Sequence, residues 1–340
     1  MNAKFWRYHI TTDHGETLHK ESIIIDGLEI SRWDERIFRQ MQQGGLTAVN
    51  ATVVVLEGFR ETVKNITHLY KLLDQYHSMV MPIRTVGDIG HAKRLGKVGL
   101  ILTFQNTSPI EEDLDLLRIF YELGVRVIQL CYMERNLVGD GCLERTDCGL
   151  SRFGLEVIEE MNRLGILIDL SHVGYKTTME AIEASKRPVA FTHANPRALC
   201  DHPRNKTDEQ IKALVKRGGV IGANVFPPFL AAGSRATMKD VIGVIEYLVK
   251  LAGIDHVGIG TDFTEGQPDS YFAYMVTGRS KKGPAMNLEL PIVNPEGIRT
   301  AAEFPNLTKA LLAHGYSESD VKKIMGENWL RLFSEVWGQH

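Results

Sequence analysis

Residues 166–172 of this 340-residue chain read ILIDLSH, and residues 188–193 read PVAFTH. Each stretch is mostly apolar and closes on a hydroxyl residue followed by histidine. Between them, KTTMEAIEASK at 176–186 has the spacing of an amphipathic helix. A strand, a helix and a second strand in this order form a unit whose two strands are parallel. The region therefore predicts a parallel sheet in which neighbouring strands both end in histidine.

The same alternation of strand and helix runs along the whole chain. The apolar, β-branched runs lie at 23–26, 46–55, 98–104, 125–132, 166–172, 188–193, 219–226 and 256–262. Eight strands, each feeding a helix, predict an α/β fold, a (β/α)8 barrel of the TIM type. A doubly wound open sheet is the alternative, although no glycine-rich phosphate loop follows the first strand. A ninth run at 79–84 contains proline and is expected to be an edge or accessory strand.

The pattern predicts a single barrel domain over residues 1–340. It breaks between about 264 and 300 into a long segment rich in glycine, proline and asparagine, which we expect to be a loop near the barrel mouth. Helical patterns return at 306–315 and 317–337. We expect these last helices to dock against the barrel.

Composition excludes several classes of function. The formal net charge is -3, with 39 Lys and Arg against 42 Asp and Glu, so no basic surface for nucleic acid or an anionic membrane is expected. The first twenty residues lack the apolar core of a secretory signal. Four cysteines without a CxxC pair are too few for a disulfide scaffold. A reduced, cytoplasmic setting and a small-molecule substrate are therefore expected.

Polar residues gather at the carboxyl ends of the predicted strands. These strand-end residues are Gln105, Tyr132, His172, His193 and Asp262. In a parallel barrel all of these ends surround one mouth, so the side chains are expected to converge. Two histidines and a carboxylate in one site predict metal binding or acid–base chemistry.

Four motifs resemble those of the renal (membrane) dipeptidase family of the amidohydrolase superfamily. They are EEMNRLGILIDLSHVGYKT at 159–177, PVAFTHANPRAL at 188–199, HPRNKTDEQIKALVKRGGVIG at 202–222 and HVGIGTDFTEG at 256–266. The resemblance covers nearly the whole chain. It implies a homodimeric barrel that hydrolyses small dipeptide-like substrates with two zinc ions at its mouth. The chain also looks like a dipeptidase branch found in bacteria that degrade N-methylated glycines.

The resemblance carries roles to particular positions. His172 and His193 match the two histidines of the second zinc, and Asp262 matches the carboxylate on the eighth strand. Arg204 matches the arginine that grips the substrate carboxylate, a task suited to a planar guanidinium. Asn205, next to it, is the second candidate for substrate binding.

The first zinc site has lost its amino-terminal ligands. Leu28 and Ile30 stand where the family has a His-x-Asp pair, and neither side chain has a lone pair. Gln105 replaces the Glu that bridges both metals, which removes the charge that would hold two dications together. Glu29 lies between the lost ligands, but strand alternation predicts that it points away from the site.

One zinc ion at most is therefore expected, or none, with His172, His193 and weakly Gln105 as ligands. In a one-metal hydrolase the ion would polarise the scissile carbonyl, while Asp262 moves the water proton to the leaving amine. Tyr132, which replaces a substrate-facing His, would contact substrate and donate to the oxyanion. Two alternatives remain open. The barrel would bind an amino-acid-like zwitterion without peptidase activity, or it would be a metal-poor enzyme of changed reaction type.

Overall fold

The computed structural model describes residues 12–278, 286 and 288–338. Its strands are β1 (Ile25–Glu29), β2 (Ala48–Val54), β3 (Val80–Pro82), β4 (Val98–Phe104), β5 (Val125–Gln129), β6 (Leu167–Asp169), β7 (Ala190–Phe191), β8 (Val220–Ala223) and β9 (Val257–Ile259). Each lies within or directly beside a run predicted from the sequence.

Eight of these strands close into a parallel barrel. β1 pairs with both β2 and β9, and β2 pairs with β4, so the ring runs β1, β2, β4 to β9 and back to β1. The predicted (β/α)8 barrel is confirmed, and the open-sheet alternative is wrong because the first and last strands are hydrogen-bonded. β3 pairs only with the first half of β4, outside the ring, as the proline-containing run predicts.

Helices fill the connections between strands. They are α1 (Thr12–Glu21), α2 (Glu35–Gln43), α3 (Phe59–Gln75), α4 (Val86–Leu95), α5 (Asp115–Glu122), α6 (Arg152–Leu164), α7 (Tyr175–Ala184), α8 (Asp208–Lys216), α9 (Met238–Ala252), α10 (Asp269–Thr277), α11 (Phe304–His314), α12 (Glu318–Lys322) and α13 (Asn328–Trp337). A π-helical turn, Lys323–Glu327, joins the last two. Within the described ranges, none of these helices is long and apolar enough to cross a membrane.

Local sequence sets the boundaries of the helix before the first histidine strand. The hydroxyl of Ser151 accepts a hydrogen bond from the Gly154 amide and caps the start of α6. Gly165 ends the helix in the left-handed conformation, with φ 77°. The chain then reverses into β6, which carries Asp169 and leads to His172 at the mouth.

The segment between 264 and 300 is not the plain loop expected from its composition. It contains α10, a helix whose Phe272, Met275 and Val276 are buried. Its amphipathic pattern is short, and flanking glycine and proline mask it in the sequence. Part of the predicted loop, 279–285 and 287, lies outside the described residues.

The C-terminal helix closes the bottom of the barrel. Inward-facing side chains from seven strands form one apolar cluster, Ile25, Ala48, Ile101, Val127, Leu167, Ala190 and Val220. Trp329, Leu332 and Phe333 of α13 join that cluster and are fully buried. The Trp329 indole also donates a hydrogen bond to the Ile259 carbonyl, at 3.0 Å, so its one polar atom is satisfied.

Glycine makes room for this indole. A Cβ built on Gly258 would lie 2.4 Å from Nε1 of Trp329, closer than atoms can approach. The position of Trp329 therefore requires glycine at residue 258 of β9.

We expect Trp329→Ala to lower the free energy of unfolding by about 3–5 kcal/mol, because it empties the bottom of the barrel. Leu330→Ala, on the half-buried side of the same helix, is the control and should cost about 1 kcal/mol. Urea unfolding followed by circular dichroism measures both. An equal decrease in the free energy of unfolding for the two variants would contradict the conclusion that Trp329 fills the bottom of the barrel.

Candidate active site

A small cavity lies at the carboxyl end of the barrel. Its polar lining consists of Gln105, Tyr132, His172, Asp262 and Thr264. The enclosed volume is about 30 Å³, enough for one or two water molecules. The structure therefore brings four of the strand-end residues predicted from the sequence to one place.

Apolar side chains complete the wall of this cavity. Ile30 follows β1, Phe226 and Phe229 follow β8, and Met275 and Val276 come from α10. Sequence reasoning identified none of them as site residues except Ile30, which it noted as a lost metal ligand. Their presence makes the wall of the cavity mostly apolar.

The two predicted histidines contact each other directly. Nε2 of His172 lies 3.0 Å from Nε2 of His193, and both rings are buried. Burial and the nearby charge of Arg204 hold the pKa of each imidazole well below its usual range. Both rings are therefore neutral at pH 7.

A hydrogen-bond chain from Asp169 fixes the tautomers of this pair. The Thr192 hydroxyl donates to Oδ2 of Asp169, at 2.7 Å. Its oxygen lies 2.7 Å from Nδ1 of His193, so that nitrogen carries the hydrogen and donates. Nε2 of His193 is then bare and accepts from His172. This leaves a lone pair on Nδ1 of His172, which has no hydrogen-bond partner among the described residues. Asp169 thus supports the site from below.

Asp262 occupies an unusual backbone position just beyond β9. Its φ of 61° lies in the left-handed region, which non-glycine residues adopt uncommonly and Asp and Asn more often than most. Burial raises the pKa of its carboxyl to about 6, although Arg204 and a hydrogen bond from Asn224 oppose the shift. Asp262 is therefore a carboxylate that exchanges a proton close to neutrality.

Asn224 is a site residue that sequence reasoning missed. Its Nδ2 donates to Oδ2 of Asp262 at 3.2 Å and to the His193 carbonyl at 3.5 Å. The amide thus links the carboxylate to the second histidine. The available signal was its position directly after β8, which is a strand end like the others.

Tyr132 covers His172. The two rings stack with centroids 4.3 Å apart, and the tyrosine hydroxyl lies 3.5 Å from Sδ of Met275. Burial raises the pKa of Tyr132, which keeps the hydroxyl protonated. It is a neutral hydrogen-bond donor in the cavity wall.

Arg204 and Asn205 lie behind the cavity and do not line it. The Arg204 guanidinium is fully buried and donates to the carbonyls of Ser171, at 2.7 Å, and His193, at 2.6 Å. The Asn205 amide donates to the carbonyls of Cys200 and Phe229. Their roles in substrate binding stay predictions, while Arg204 visibly holds together the segments that carry the two histidines.

The donors present do not fit the pair of zinc ions that the resemblance implies. Leu28 is fully buried and Ile30 forms cavity wall, while the Gln105 amide donates to the Thr52 hydroxyl. Within the described part of the chain, no three His, Cys, Asp or Glu side chains converge as a metal site. Nδ1 of His172 also lacks the acceptor that normally holds a ligating imidazole.

Glu29 does not replace the lost ligands. Its carboxyl is fully buried outside the cavity, with Oε1 accepting from the Ser31 hydroxyl and Oε2 without a hydrogen-bond partner in the part of the chain that the structure describes. Burial raises its pKa well above the usual range, and the charges of Asp26 and Glu265 raise it further. Strand alternation correctly predicts that Glu29 points away from the site.

The buried Glu29 predicts a pH effect on stability. Because its pKa is higher in the folded than in the unfolded chain, the folded state loses stability as pH rises above about 4.5. Glu29→Gln cannot ionise, so its stability relative to the natural chain should grow with pH, reaching about 1–3 kcal/mol at pH 8. Urea unfolding at pH 5 and pH 8 measures this, with the exposed Glu159→Gln as control. If the free energy of unfolding changed equally between pH 5 and pH 8 for the natural chain and for both variants, Glu29 would ionise freely in the folded protein.

Both a family model and a solved structure match this chain over most of its length. The model of the family described as membrane dipeptidase (peptidase family M19) matches residues 14–271 and 290–338 and leaves out the segment between. A crystal structure of an amidohydrolase from Pseudomonas aeruginosa superposes with a TM-score of 0.94, at 47% identity over 96% of this chain and 99% of that one.

Two curated fungal relatives are also similar. Dipeptidase tcpJ of Claviceps purpurea is 29% identical over 281 residues, which are 82% of this chain and 60% of the relative. The uncharacterized dipeptidase C965.12 of Schizosaccharomyces pombe is 30% identical over 285 residues, or 82% and 62%. The matched part thus spans about three fifths of the length of these relatives.

Proposed function

Because the chain belongs to the membrane dipeptidase family, peptidase family M19, we propose that it hydrolyses a C–N bond in dipeptide-like or other small amino-acid-derived amides. The observation that carries this proposal is Asp262, a buried carboxyl with a pKa of about 6 that lines the cavity at the barrel mouth. Amide hydrolysis requires a group that takes a proton from water and delivers it to the leaving amine. A pKa near the working pH suits both steps.

Other cavity residues would assist this proton transfer. The Tyr132 hydroxyl, which stays protonated, would donate to the oxyanion that forms on the scissile carbonyl. Asn224 holds Asp262 through its amide and so orients the carboxylate toward the attacking water. The apolar side chains of the cavity wall would strengthen each of these polar contacts, because few waters would compete for them.

Arg204 and Asn205 remain the proposed substrate-binding pair. Nε of Arg204 and Oδ1 of Asn205 have no partner among the described residues, and these atoms support the proposal. Arg204 also places a positive charge behind the cavity, which would attract a substrate carboxylate.

We further propose that the chain binds at most one zinc ion, with His172 and His193 as ligands and Gln105 as a weak third. Two neutral imidazoles whose Nε2 atoms are 3.0 Å apart support this, and binding would require the hydrogen on Nε2 of His172 to leave that atom. We assign no catalytic step to the ion. Assembly as a homodimer, which the resemblance implies, is part of the same proposal, and light scattering should give twice the 38.2 kDa of one chain.

Asp262→Asn should lower kcat for a dipeptide at least about 100-fold, because the amide cannot move the proton. The fold should survive, since asparagine tolerates the left-handed backbone. Release of amine from Ala-Ala measures activity, and thermal unfolding checks the fold. Asp269→Asn, at an exposed position on α10, should leave activity unchanged. A folded, active Asp262→Asn protein would place the base elsewhere.

Elemental analysis of protein purified without added metal should find no more than one zinc per chain. His172→Ala should lower any zinc found, because it removes one of two imidazole ligands. Two zinc ions per chain would contradict the proposed site. No hydrolysis of any small amide, with or without added zinc, would favour a barrel that binds its ligand without turnover.

A further inference from the structure

Helix α10 supplies part of the wall of the active-site cavity. Met275 and Val276 line it together with residues on the far side of the mouth, and both are almost fully buried. The family match stops at residue 271 and resumes at 290. This part of the wall therefore comes from residues that the family model leaves unmatched.

The wall fits closely against the catalytic side of the cavity. Sδ of Met275 lies 3.5 Å from the Tyr132 hydroxyl, so the helix contacts the residue that stacks on His172. The free space beside them holds one or two water molecules, at about 30 Å³. A substrate group that points toward α10 must therefore be short or must displace these two side chains.

Charge restricts the ligand as well. Asp262 is the only aspartate, glutamate, lysine or arginine among the described residues that line the cavity. The remaining surface beside α10 is apolar. A substituent that points toward Met275 must then be small and uncharged, since a charge there would have no partner.

We propose that Met275 and Val276 are specificity-determining residues, and that they limit the site to compact amides whose group facing α10 is short and apolar. This inference rests on the proposed hydrolase function. The physical basis is steric, since one surplus methylene in a closed apolar pocket lowers kcat/KM by about 10- to 200-fold. Shortening either side chain should therefore admit longer substrates.

The test compares Gly-Gly, Ala-Ala and Leu-Leu as substrates. For the natural chain, kcat/KM should fall at least about 100-fold from the smallest to the largest. Met275→Ala should raise kcat/KM for Leu-Leu about 10- to 100-fold, mainly through KM, and change Gly-Gly less than about threefold. Met238→Ala makes the same chemical change on α9, outside the cavity lining, and should leave the profile unchanged.

Binding separates this inference from the proposed function. In reduced-amide analogues of the same peptides, CH2–NH replaces the amide, so they cannot be hydrolysed. Calorimetry with these analogues measures binding affinity without turnover. If Met275→Ala improves binding of the Leu-Leu analogue while no peptide is cleaved, the hydrolase proposal fails and the specificity assignment stands. Val276→Ala provides the same readout if Met275→Ala does not fold. Equal binding of small and large analogues by the natural chain, or no gain in a folded variant, would overturn the assignment.

Discussion

A buried positive charge organises the mouth of this barrel. Arg204 is removed from water, and its guanidinium donates to the backbone carbonyls of Ser171 and His193. A buried charge is costly unless polar groups surround it, so the two carbonyls hold both histidine segments at fixed positions around it. The same charge disfavours protonation of the imidazoles and favours ionisation of Asp262. One interaction thus sets both the geometry and the protonation of the site.

The site also shows how a family scaffold changes when ligands are replaced. Leucine and isoleucine stand where the resemblance places the amino-terminal ligands, and the two histidines that it implies as ligands are hydrogen-bonded to each other. Asp262 adopts a left-handed backbone, accepts a hydrogen bond from Asn224 and lies near the charge of Arg204. The pocket is present in this chain. What differs from the two-metal arrangement that its motifs resemble is the number of negatively charged side chains around the pocket.

The barrel and much of its mouth could be predicted from the sequence, because strand ends in a closed parallel sheet must meet. Gln105, Tyr132, His172 and Asp262 were found in this way. Met275 and Val276 could not be, since α10 lies in a segment whose glycines and prolines hide its helical pattern, and its docking onto Tyr132 depends on contacts distant in sequence. The tautomers of the histidines likewise required the position of the Thr192 hydroxyl, because the sequence shows the residue but not its hydrogen-bond partners.

Strand β9 links the two ends of the barrel over a very short distance. Its Ile259 carbonyl accepts a hydrogen bond from the Trp329 indole, and three residues later the chain reaches Asp262. Gly258 must stay small for Trp329, and Gly260 must stay small because a Cβ there would overlap the Thr192 carbonyl. Few substitutions are therefore tolerated across residues 257–262, VGIGTD. Homologues that differ elsewhere in sequence should preserve this hexapeptide even where their substrates differ.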